Sequence, residues 1–353
     1  MNIERNLLQI IRGEKKAPLI MAGLACLSAL YRSGLALRNA AYDRAFFRSV
    51  QLPAPVISIG NLVVGGTGKT PLTQMLALRL EEKARLAILT RGFRSQLERA
   101  RDIAKISSGA GPLLPPEKCG DEPYFLAQTT KAAIWVGADR IESGERAIAE
   151  GANCLLLDDG MQHRRLKRDF EIVIVDATDP FSNGRFLPWG LLRDSPSRLK
   201  NASLIVANHI RDEAQYQTLK AKLAPFTAAP LVAMRVDVLD KTSFRPQKVG
   251  LFCGIGNPAH FLQTARDLNQ EIVDTFIVND HETLRADQLQ SFAERCRAKG
   301  AEVLLCTEKD FVKLNFESSA CLSIVPVKIQ LKIIAGQEYW ENLIENILDK
   351  VVK

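Results

Sequence analysis

The sequence has no cysteine spacing typical of a disulfide framework or a cysteine zinc site. None of its seven cysteines forms a C-x-x-C pair, and several lie inside apolar runs. Scattered cysteines of this kind are typical of reduced core residues in a cytoplasmic protein. They are Cys26, Cys119, Cys154, Cys253, Cys296, Cys306 and Cys321. We therefore expect a cytoplasmic protein without disulfides.

The sequence also has no internal repeat and no low-complexity tract. Its composition is that of a globular protein, with 46% hydrophobic and 25% charged residues. A single hydrophobic core rarely grows beyond about 250 to 300 residues. The length of 353 residues therefore predicts two domains.

Acidic residues are fewer than basic ones. The chain has 40 Asp and Glu against 47 Lys and Arg, which gives a formal net charge of +7. Positive charge favours an anionic partner, and by itself it leaves nucleotide phosphate, nucleic acid and an acidic membrane surface open. The sequence lacks the aromatic-studded basic strand or recognition-helix pattern of a nucleic-acid binder. We therefore expect no nucleic-acid partner.

Residues 1–40 have the pattern of a membrane-interface helix region. Apolar residues recur at near-helical spacing over Ile3–Ile11, and an uncharged stretch follows over Ala17–Leu30 with basic residues on both sides. That stretch is shorter than the roughly 20 residues that cross a bilayer. Three interpretations of this segment remain possible: a buried core helix, a signal peptide, or a helix in the membrane interface. Tyr31 and Arg32 stand where signal-peptide cleavage needs small residues, so the signal peptide is least favoured and the interfacial helix most favoured.

Beyond residue 40, short apolar runs alternate with helical stretches, which is typical of a mostly parallel sheet covered on both faces. The predicted strands are Val56–Ile59, Leu86–Thr90, Ala133–Val136, Cys154–Leu157, Glu171–Val175 and Leu204–Ala207. The predicted helices are Pro71–Lys83, Glu122–Thr130, Arg140–Glu150 and Asp212–Leu223. This part of the chain is therefore predicted to form a doubly wound α/β fold.

A second, smaller α/β domain is predicted after a segment rich in Ala, Pro and Thr near residue 226. Its strands would be Leu231–Val236, Val249–Cys253, Ile272–Val278, Val303–Thr307 and Leu322–Val327, and its helices Ala259–Asn269 and Ala286–Lys299. The predicted domains are then 41–225 and 226–336. A C-terminal helix, 337–353, is predicted to pack back on the first domain.

The strongest motif is Gly65-Gly66-Thr67-Gly68-Lys69-Thr70, between a predicted strand and a predicted helix. Glycines let backbone N–H groups close around phosphates, the lysine reaches the terminal phosphates, and the threonine hydroxyl ligates magnesium. The strict pattern has glycine at position 63, where this chain has Val63. A structural glycine turn is the alternative, but the strand, loop and helix order favours a nucleotide site. The first domain is thus predicted to be P-loop NTPase-like and to bind ATP.

Two further segments carry carboxylates. Asp158 and Asp159 end an apolar strand, where P-loop enzymes place the carboxylate that holds magnesium, although paired aspartates are also common in turns. Asp121 precedes an apolar helical stretch. It fits either a helix N-cap or the base that receives a hydroxyl proton from a phosphate acceptor, and the residues alone favour the cap.

Histidines are few. His209 and His260 fit packing or surface positions, as most isolated histidines do. His281 follows a predicted strand of the second domain, where a loop would overhang a cleft between the domains.

Taken together, several segments resemble the tetraacyldisaccharide 4'-kinase family, which phosphorylates the lipid A precursor. They run in order across nearly the whole chain: Ile59-Gly60-Asn61-Leu62, Leu89-Thr90-Arg91-Gly92-Phe93, Gly120-Asp121-Glu122-Pro123, Asp158-Asp159-Gly160-Met161-Gln162-His163, Leu191-Leu192-Arg193-Asp194, Gly254-Ile255-Gly256-Asn257-Pro258, Asp280-His281 and Thr307-Glu308-Lys309-Asp310.

The resemblance implies transfer of the ATP γ-phosphate to the 4'-hydroxyl of an acylated glucosamine disaccharide 1-phosphate, in lipopolysaccharide biosynthesis. It implies that Asp121 and His281 act together to activate the acceptor. It also implies that Asp158, Asp159 and Asp194 serve Mg²⁺ together with Thr70. The location it implies is the cytoplasmic face of a Gram-negative inner membrane.

A lipid substrate agrees with the N-terminal pattern, because acyl chains stay in the membrane while the sugar enters the enzyme. Arg91, Arg94 and Arg193 are candidates to meet the acceptor phosphate, with plain surface solvation as the alternative. We expect a peripheral, monomeric kinase whose two domains close to exclude water. The alternative is a membrane-associated P-loop ATPase or switch without a small-molecule acceptor.

Overall fold

The structure is a computed structural model that describes residues 17–245, 247–279, 285–314 and 321–352. Its strands are β1 Val56–Gly60, β2 Leu86–Thr90, β3 Ala104–Ser108, β4 Ala133–Val136, β5 Cys154–Asp158, β6 Phe170–Asp176, β7 Leu204–Asn208, β8 Leu231–Val238, β9 Lys248–Cys253, β10 Glu271–Ile277, β11 Val303–Thr307, β12 Ser323–Val327 and β13 Ile329–Ala335.

The α-helices of the described residues are α1 Pro18–Asp43, α2 Lys69–Leu80, α3 Gln96–Ala100, α4 Pro116–Cys119, α5 Asp121–Thr129, α6 Arg140–Ala149, α7 Glu213–Leu223, α8 Pro258–Asp267, α9 Ala286–Ala298, α10 Glu308–Phe311 and α11 Gln337–Val352. Short 3₁₀ turns cover Ser182–Gly184, Pro196–Asn201 and Lys241–Ser243. Two helices begin where the sequence supplies a capping carboxylate: Asp139 accepts from the Ile141 N–H at the start of α6, and Asp212 accepts from the Gln215 N–H at the start of α7.

Nine strands form one large sheet in the order β13-β8-β7-β6-β1-β5-β2-β4-β3. All neighbours pair in parallel except the two edge pairs, β13 with β8 and β3 with β4. The central strands β1, β2, β5 and β7 are buried at every residue, because helices cover both faces of the sheet. The predicted doubly wound, mostly parallel architecture is therefore present.

A smaller parallel sheet has the order β10-β9-β11-β12. Helix α8 packs Phe261 and Ala265 on one face, and α9 packs Phe292 and Cys296 on the other. These are the apolar faces of two amphipathic helices, and each forms its own core layer with the sheet.

The predicted domain border near residue 226 does not coincide with the border between the sheets. Strand β8 was assigned to the second domain, but it pairs in parallel with β7, with Ile205 opposite Leu231. The chain then builds the small sheet and returns through β13, which pairs antiparallel with β8. The small sheet is thus an insertion between two strands of the large one, and the segment rich in Ala and Pro is an ordinary helix-to-strand loop.

The C-terminal helix α11 lies against α2 and against strands β7 and β8. Its Trp340 is fully buried in the core of the large sheet, beside Leu343 and Ile344. Arg79 on α2 adds an ion pair to Glu341 at 2.7 Å. The helix therefore closes the part of the core that α2 begins.

Helix α1 is longer than the apolar stretch from which it was expected. Its 26 residues continue beyond Leu30 to Asp43, because small and apolar residues follow Arg32. By length and composition alone it is long and apolar enough to cross a membrane, and 6% of its most apolar window is buried. The expectation that this segment is too short to span is therefore wrong as regards length. The helix predicted over Ile3–Ile11 lies outside the described residues.

Candidate active site

The glycine-rich loop joins the carboxyl end of β1 to the N-terminus of α2. Gly65 and Gly68 have φ of +120° and +97°, a region that favours glycine. A Cβ on Gly68 would also lie 2.4 Å from the Asn208 side-chain nitrogen. Val63 makes an extended bridge to Leu192, so this position needs no glycine. The departure from the strict motif therefore leaves the loop geometry intact.

Lys69 is the first residue of α2, and two side chains hold it over the loop. Its Nζ lies 3.3 Å from Asn61 Oδ1 and 3.8 Å from Asp159 Oδ1. Asn61 in turn donates to the Thr67 hydroxyl at 2.9 Å. Thr70 follows at the second position of the helix and is partly buried. Lys69 and the loop thus share one hydrogen-bonded frame, in which Asn61 is a residue that motif reasoning did not assign.

Asp158 ends β5 next to this frame. It is buried and accepts hydrogen bonds from the hydroxyls of Thr73 and Thr90, at 3.0 and 3.5 Å. Burial, reinforced by the charges of Glu122 and Asp159, raises the pKa of Asp158 to about 7. A carboxylate placed here is poorly compensated, and a nearby cation would stabilise its ionised form.

Asp159 has a different environment. Its carboxylate receives a forked contact from Arg193, with one Nη1 to Oδ2 distance of 2.9 Å, and Arg193 also contacts Asn61. Burial opposes ionisation, but Lys69 and Arg193 outweigh it and hold the pKa of Asp159 well below its usual range. Arg193 was considered for the acceptor phosphate, whereas the structure places it on Asp159.

The predicted magnesium ligand Asp194 faces another way. It is fully buried, and its Oδ1 accepts from Asn39 Nδ2 of α1 at 3.0 Å and from the Ser195 N–H at 2.8 Å. Its Oδ2 is buried without a hydrogen-bond partner in the described residues. Its contacts therefore join the site to α1, and its metal role stays a prediction.

Asp121 lies where the large sheet meets the small one. Helix α5 begins at this residue and its N-cap is Gly120, so the N-cap interpretation of Asp121 is wrong. Lys313 Nζ lies 3.1 Å from Asp121 Oδ2 and 3.3 Å from Asp310 Oδ1. Both Lys313 and Asp310 are buried. Asp310 also accepts from the Gly254 N–H at 3.0 Å, which links Asp121 through two charged side chains to the loop after β9.

That loop touches the phosphate loop directly. A Cβ on Gly256 would lie 2.6 Å from the Gly66 nitrogen, so only glycine fits the approach. On the other side, Asn208 at the end of β7 donates to the Thr67 carbonyl at 3.1 Å. Sequence reasoning missed Asn208, although its position at the carboxyl end of a predicted parallel strand was a usable signal.

The predicted histidine of the site, His281, lies outside the described residues. Its neighbouring strand β10 ends at Ile277, and the described chain continues to Asn279. The pairing of Asp121 with His281 therefore stays a prediction.

A glycine-rich loop between a buried central strand and a helix, with lysine at the helix start and a carboxylate on the neighbouring strand, is the arrangement of P-loop nucleotide-binding proteins. That is the class of protein to which the fold and the site belong.

The family is more specific. The model of the family described as tetraacyldisaccharide-1-P 4'-kinase matches residues 20–349. The chain therefore belongs to this family, and the resemblance seen in the sequence is confirmed.

Relatives and a solved structure agree with this assignment. The tetraacyldisaccharide 4'-kinase of Anaeromyxobacter dehalogenans (strain 2CP-C) is 34% identical over 346 residues, 92% of this chain and 89% of that protein. The protein of the same name from Chlamydia pneumoniae is 35% identical over 308 residues, 84% of this chain and 82% of that protein.

LpxK from Aquifex aeolicus, an "apo" form in complex with ATP, matches with a TM-score of 0.72 and 27% identity, over 93% of this chain and 99% of that one. This match confirms the predicted fold class.

Proposed function

We propose that this protein transfers the γ-phosphate of ATP to the 4'-hydroxyl of the tetraacyl disaccharide 1-phosphate precursor of lipid A. The observation that carries the proposal is the position of Lys69, aligned by Asn61 and Asp159 over a phosphate loop inside a chain of the 4'-kinase family. The names of the relatives specify the acceptor class.

In this proposal, the backbone of residues 65–70 binds the ATP phosphates and Lys69 neutralises charge that develops on the transferred group. Arg193 holds Asp159 in place and supplies a second positive charge beside the loop. Together these residues position the phosphate chain without covalent chemistry from the protein.

The oxygen donors of Thr70, Asp158 and Asp159 fit Mg²⁺, which prefers hydroxyl, carboxylate and phosphate oxygens. The raised pKa of buried Asp158 supports this, because a divalent cation would supply the compensation that the carboxylate lacks. Bound there, Mg²⁺ would neutralise the nucleotide phosphates. Asp194 is the predicted ligand that this arrangement supports least, because its contacts point toward α1.

Asp121 is proposed as the base that orients and deprotonates the sugar hydroxyl. Its ion pair with buried Lys313 fixes the carboxylate at the start of α5. Lys313 is a positioning residue in this account, and His281 is proposed to assist Asp121. The acceptor would then enter between the two sheets.

Helix α1 supports a peripheral position at the membrane. Along one side it bonds to the globular body: Ser28 to the Phe186 carbonyl at 2.8 Å, and Tyr31 to the Arg193 carbonyl at 2.9 Å. Asn39 adds its bond to Asp194. A helix crossing the bilayer would lose these bonds, whereas a helix in the interface keeps them and presents its other side to lipid.

The exposed side of α1 is apolar. Leu19, Leu30 and Leu37 are 90%, 71% and 75% exposed. Because Arg193 contacts both α1 and Asp159, α1 lies close to the phosphate loop. A lipid-borne sugar at the cytoplasmic face of the inner membrane would thus meet the site without leaving the surface. We propose a monomer without a nucleic-acid partner.

A partition assay separates this kinase from a P-loop ATPase or switch. Purified protein is incubated with γ-labelled ATP, Mg²⁺ and tetraacyl disaccharide 1-phosphate in detergent. The kinase moves label into the lipid, whereas the ATPase releases only free phosphate. Lys69→Ala should lower lipid labelling by about 100-fold or more, because a charge that stabilises the transition state is lost.

Lys220→Ala is the matched control, since Lys220 is an exposed lysine of α7 away from the loop. It should label lipid like the wild type. Equal labelling by the Lys69→Ala and Lys220→Ala proteins would exclude the proposed role of the loop.

A further inference from the structure

Three side chains with metal-ligating atoms converge outside the proposed kinase chemistry. Asp176 ends β6, His209 follows β7, and His260 lies on α8 of the small sheet. One ligand atom from each lies within 4.8 Å of those of the other two. Sequence reasoning treated both histidines as packing or surface residues, because they are 51 positions apart in the chain.

The distances suit a tetrahedral ion. Asp176 Oδ2 lies 3.3 Å from His209 Nδ1 and 3.9 Å from His260 Nε2. Ligand atoms that bind zinc at about 2.0 to 2.1 Å lie about 3.3 to 3.4 Å from one another in tetrahedral geometry. A shift of His260 by about half an ångström would bring its Nε2 to that distance from Asp176 Oδ2.

Hydrogen bonds from Thr178 fix the other carboxylate oxygen of Asp176, Oδ1. The N–H and the hydroxyl of Thr178 both donate to Asp176 Oδ1, at 2.9 and 2.6 Å. This leaves Oδ2 facing the two imidazoles. Hydrogen bonds of this type orient a ligating carboxylate in metal sites.

The charge of the carboxylate also suits a metal. Burial opposes ionisation of Asp176, but its contacts with His209 and Thr178 outweigh burial and lower its pKa to about 2. Burial and the neighbouring His209 lower the pKa of His260, which favours the neutral imidazole. His209 Nδ1 is buried and has no hydrogen-bond partner of good geometry in the described residues. The cluster thus offers a carboxylate together with a ring nitrogen that lies 3.3 Å from it.

Competing contacts are weak. Asn257 Nδ2 lies 3.5 Å from His260 Nε2, at the limit of a hydrogen bond. The two imidazole rings lie 3.8 Å apart at 46°, which leaves their nitrogens on the same side as Asp176. The side chain of His260 is 29% exposed, so water can reach the fourth corner.

We propose that Asp176, His209 and His260 bind a Zn²⁺ ion that ties helix α8 to the carboxyl edge of the large sheet. The ligands come from both sheets, so the ion would fix one against the other. The tie lies beside the phosphate loop, because Asn208 next to His209 donates to Thr67 and the Gly256-Asn257 backbone touches Gly66. Zinc there would hold both contacts in place.

The test is zinc affinity of the full chain, freed of any affinity tag and kept reduced, in competition with a chromogenic chelator. The wild type should take up one Zn²⁺ per chain through this site. His209→Ala and His260→Ala should each weaken that uptake by about 100-fold, because a zinc ion held by two protein ligands is poorly retained. His163→Gln is the matched control and should bind zinc like the wild type.

Cobalt identifies the ligands. Co²⁺ in the wild-type site should give visible d–d absorption without a thiolate charge-transfer band, and His260→Gln should abolish it. Zinc should raise the melting temperature of the wild type and of His163→Gln but leave that of His260→Gln unchanged. A thiolate band would assign the metal to the free cysteines, and either this result or histidine variants that bind as tightly as the wild type would overturn the proposal. Absence of binding at micromolar free zinc would also overturn it.

Discussion

Arg193 shows how far single residues could be predicted. Its place in a Leu-Leu-Arg-Asp segment marked it as a candidate for the acceptor phosphate, and it does lie in the site. Its forked contact with Asp159, however, depends on a chain separation of 34 residues, which no local pattern contains. Asn61 and Lys313 were missed for the same reason, because an amide or a lysine gains a role only through its partner in space.

The pair Asp121 and Lys313 gives a prediction at this scale. Lys313→Met should lower kcat by about 10- to 100-fold with little change in the KM for ATP, because Asp121 loses the cation that positions it. In the Asp121→Asn protein, Lys313→Met should lower kcat little further, because the carboxylate that Lys313 positions is already absent. Steady-state kinetics of the two single variants and the double variant measure this coupling.

If Lys313 had only a structural role, the losses of kcat in the two single variants would add in the double variant. Melting temperatures are measured in parallel, because removal of Lys313 also leaves buried Asp310 without its cation. Additive kinetic losses among folded variants would contradict the positioning role.

His163 gives a pH prediction. Burial, together with the charge of Arg140, lowers the pKa of His163 to about 4 from an ordinary value of 6.5. The unfolded chain therefore binds more protons than the folded one between these values, and stability falls as pH drops from 6.5 toward 4. His163→Gln should remove on the order of 2 to 3 kcal/mol of that loss.

Chemical denaturation of both proteins at pH 7.5 and pH 4.5 checks this. The difference between the pH values should be smaller in His163→Gln. If both proteins lose the same free energy of unfolding, His163 is not the titrating group.

At the scale of elements, the strands predicted from apolar runs are present within a residue or two. The central strands were the clearest, because burial on both faces makes them apolar throughout. Strands β3 and β13 were missed because both are edge strands with only partial burial. Strand β8 was found but given to the wrong sheet. A run of apolar residues indicates that a strand is buried, but it does not indicate which strands are its neighbours. The sheet to which β8 belongs therefore required the structure.

Helix α1 supplies the prediction at this scale. Replacing Leu27, Leu30 and Leu37 by serine should greatly reduce binding to anionic lipid vesicles, because the exposed apolar side would no longer enter the interface. Lipid labelling in detergent should remain near the wild-type level. Vesicle co-sedimentation and the partition assay measure the two effects.

Leu113→Ser is the control, since Leu113 is 62% exposed and lies away from α1. It should bind vesicles like the wild type. Unchanged vesicle binding by the triple variant would mean that α1 is not the lipid-facing element.

At the scale of the whole molecule, the small sheet is inserted between β8 and β13, and its loop at Gly256 lies against the phosphate loop. Asp121 is joined to the same sheet by Lys313 and Asp310. The order of motifs along the chain predicted one site, because all of them lie at carboxyl ends of strands or at helix starts. The contact between the sheets could not be predicted, and the closure of the two domains stays a prediction.

The central claim is that the loop at residues 65–70 directs a phosphate onto the 4' position of a lipid-borne disaccharide. The most direct measurement is phosphorus and proton NMR of the lipid product after incubation with ATP and Mg²⁺. The account predicts a second phosphomonoester whose coupling places it on the 4' carbon of the distal sugar, and none from Lys69→Ala. Recovery of unmodified lipid with free phosphate, or a phosphate at another carbon, would contradict it.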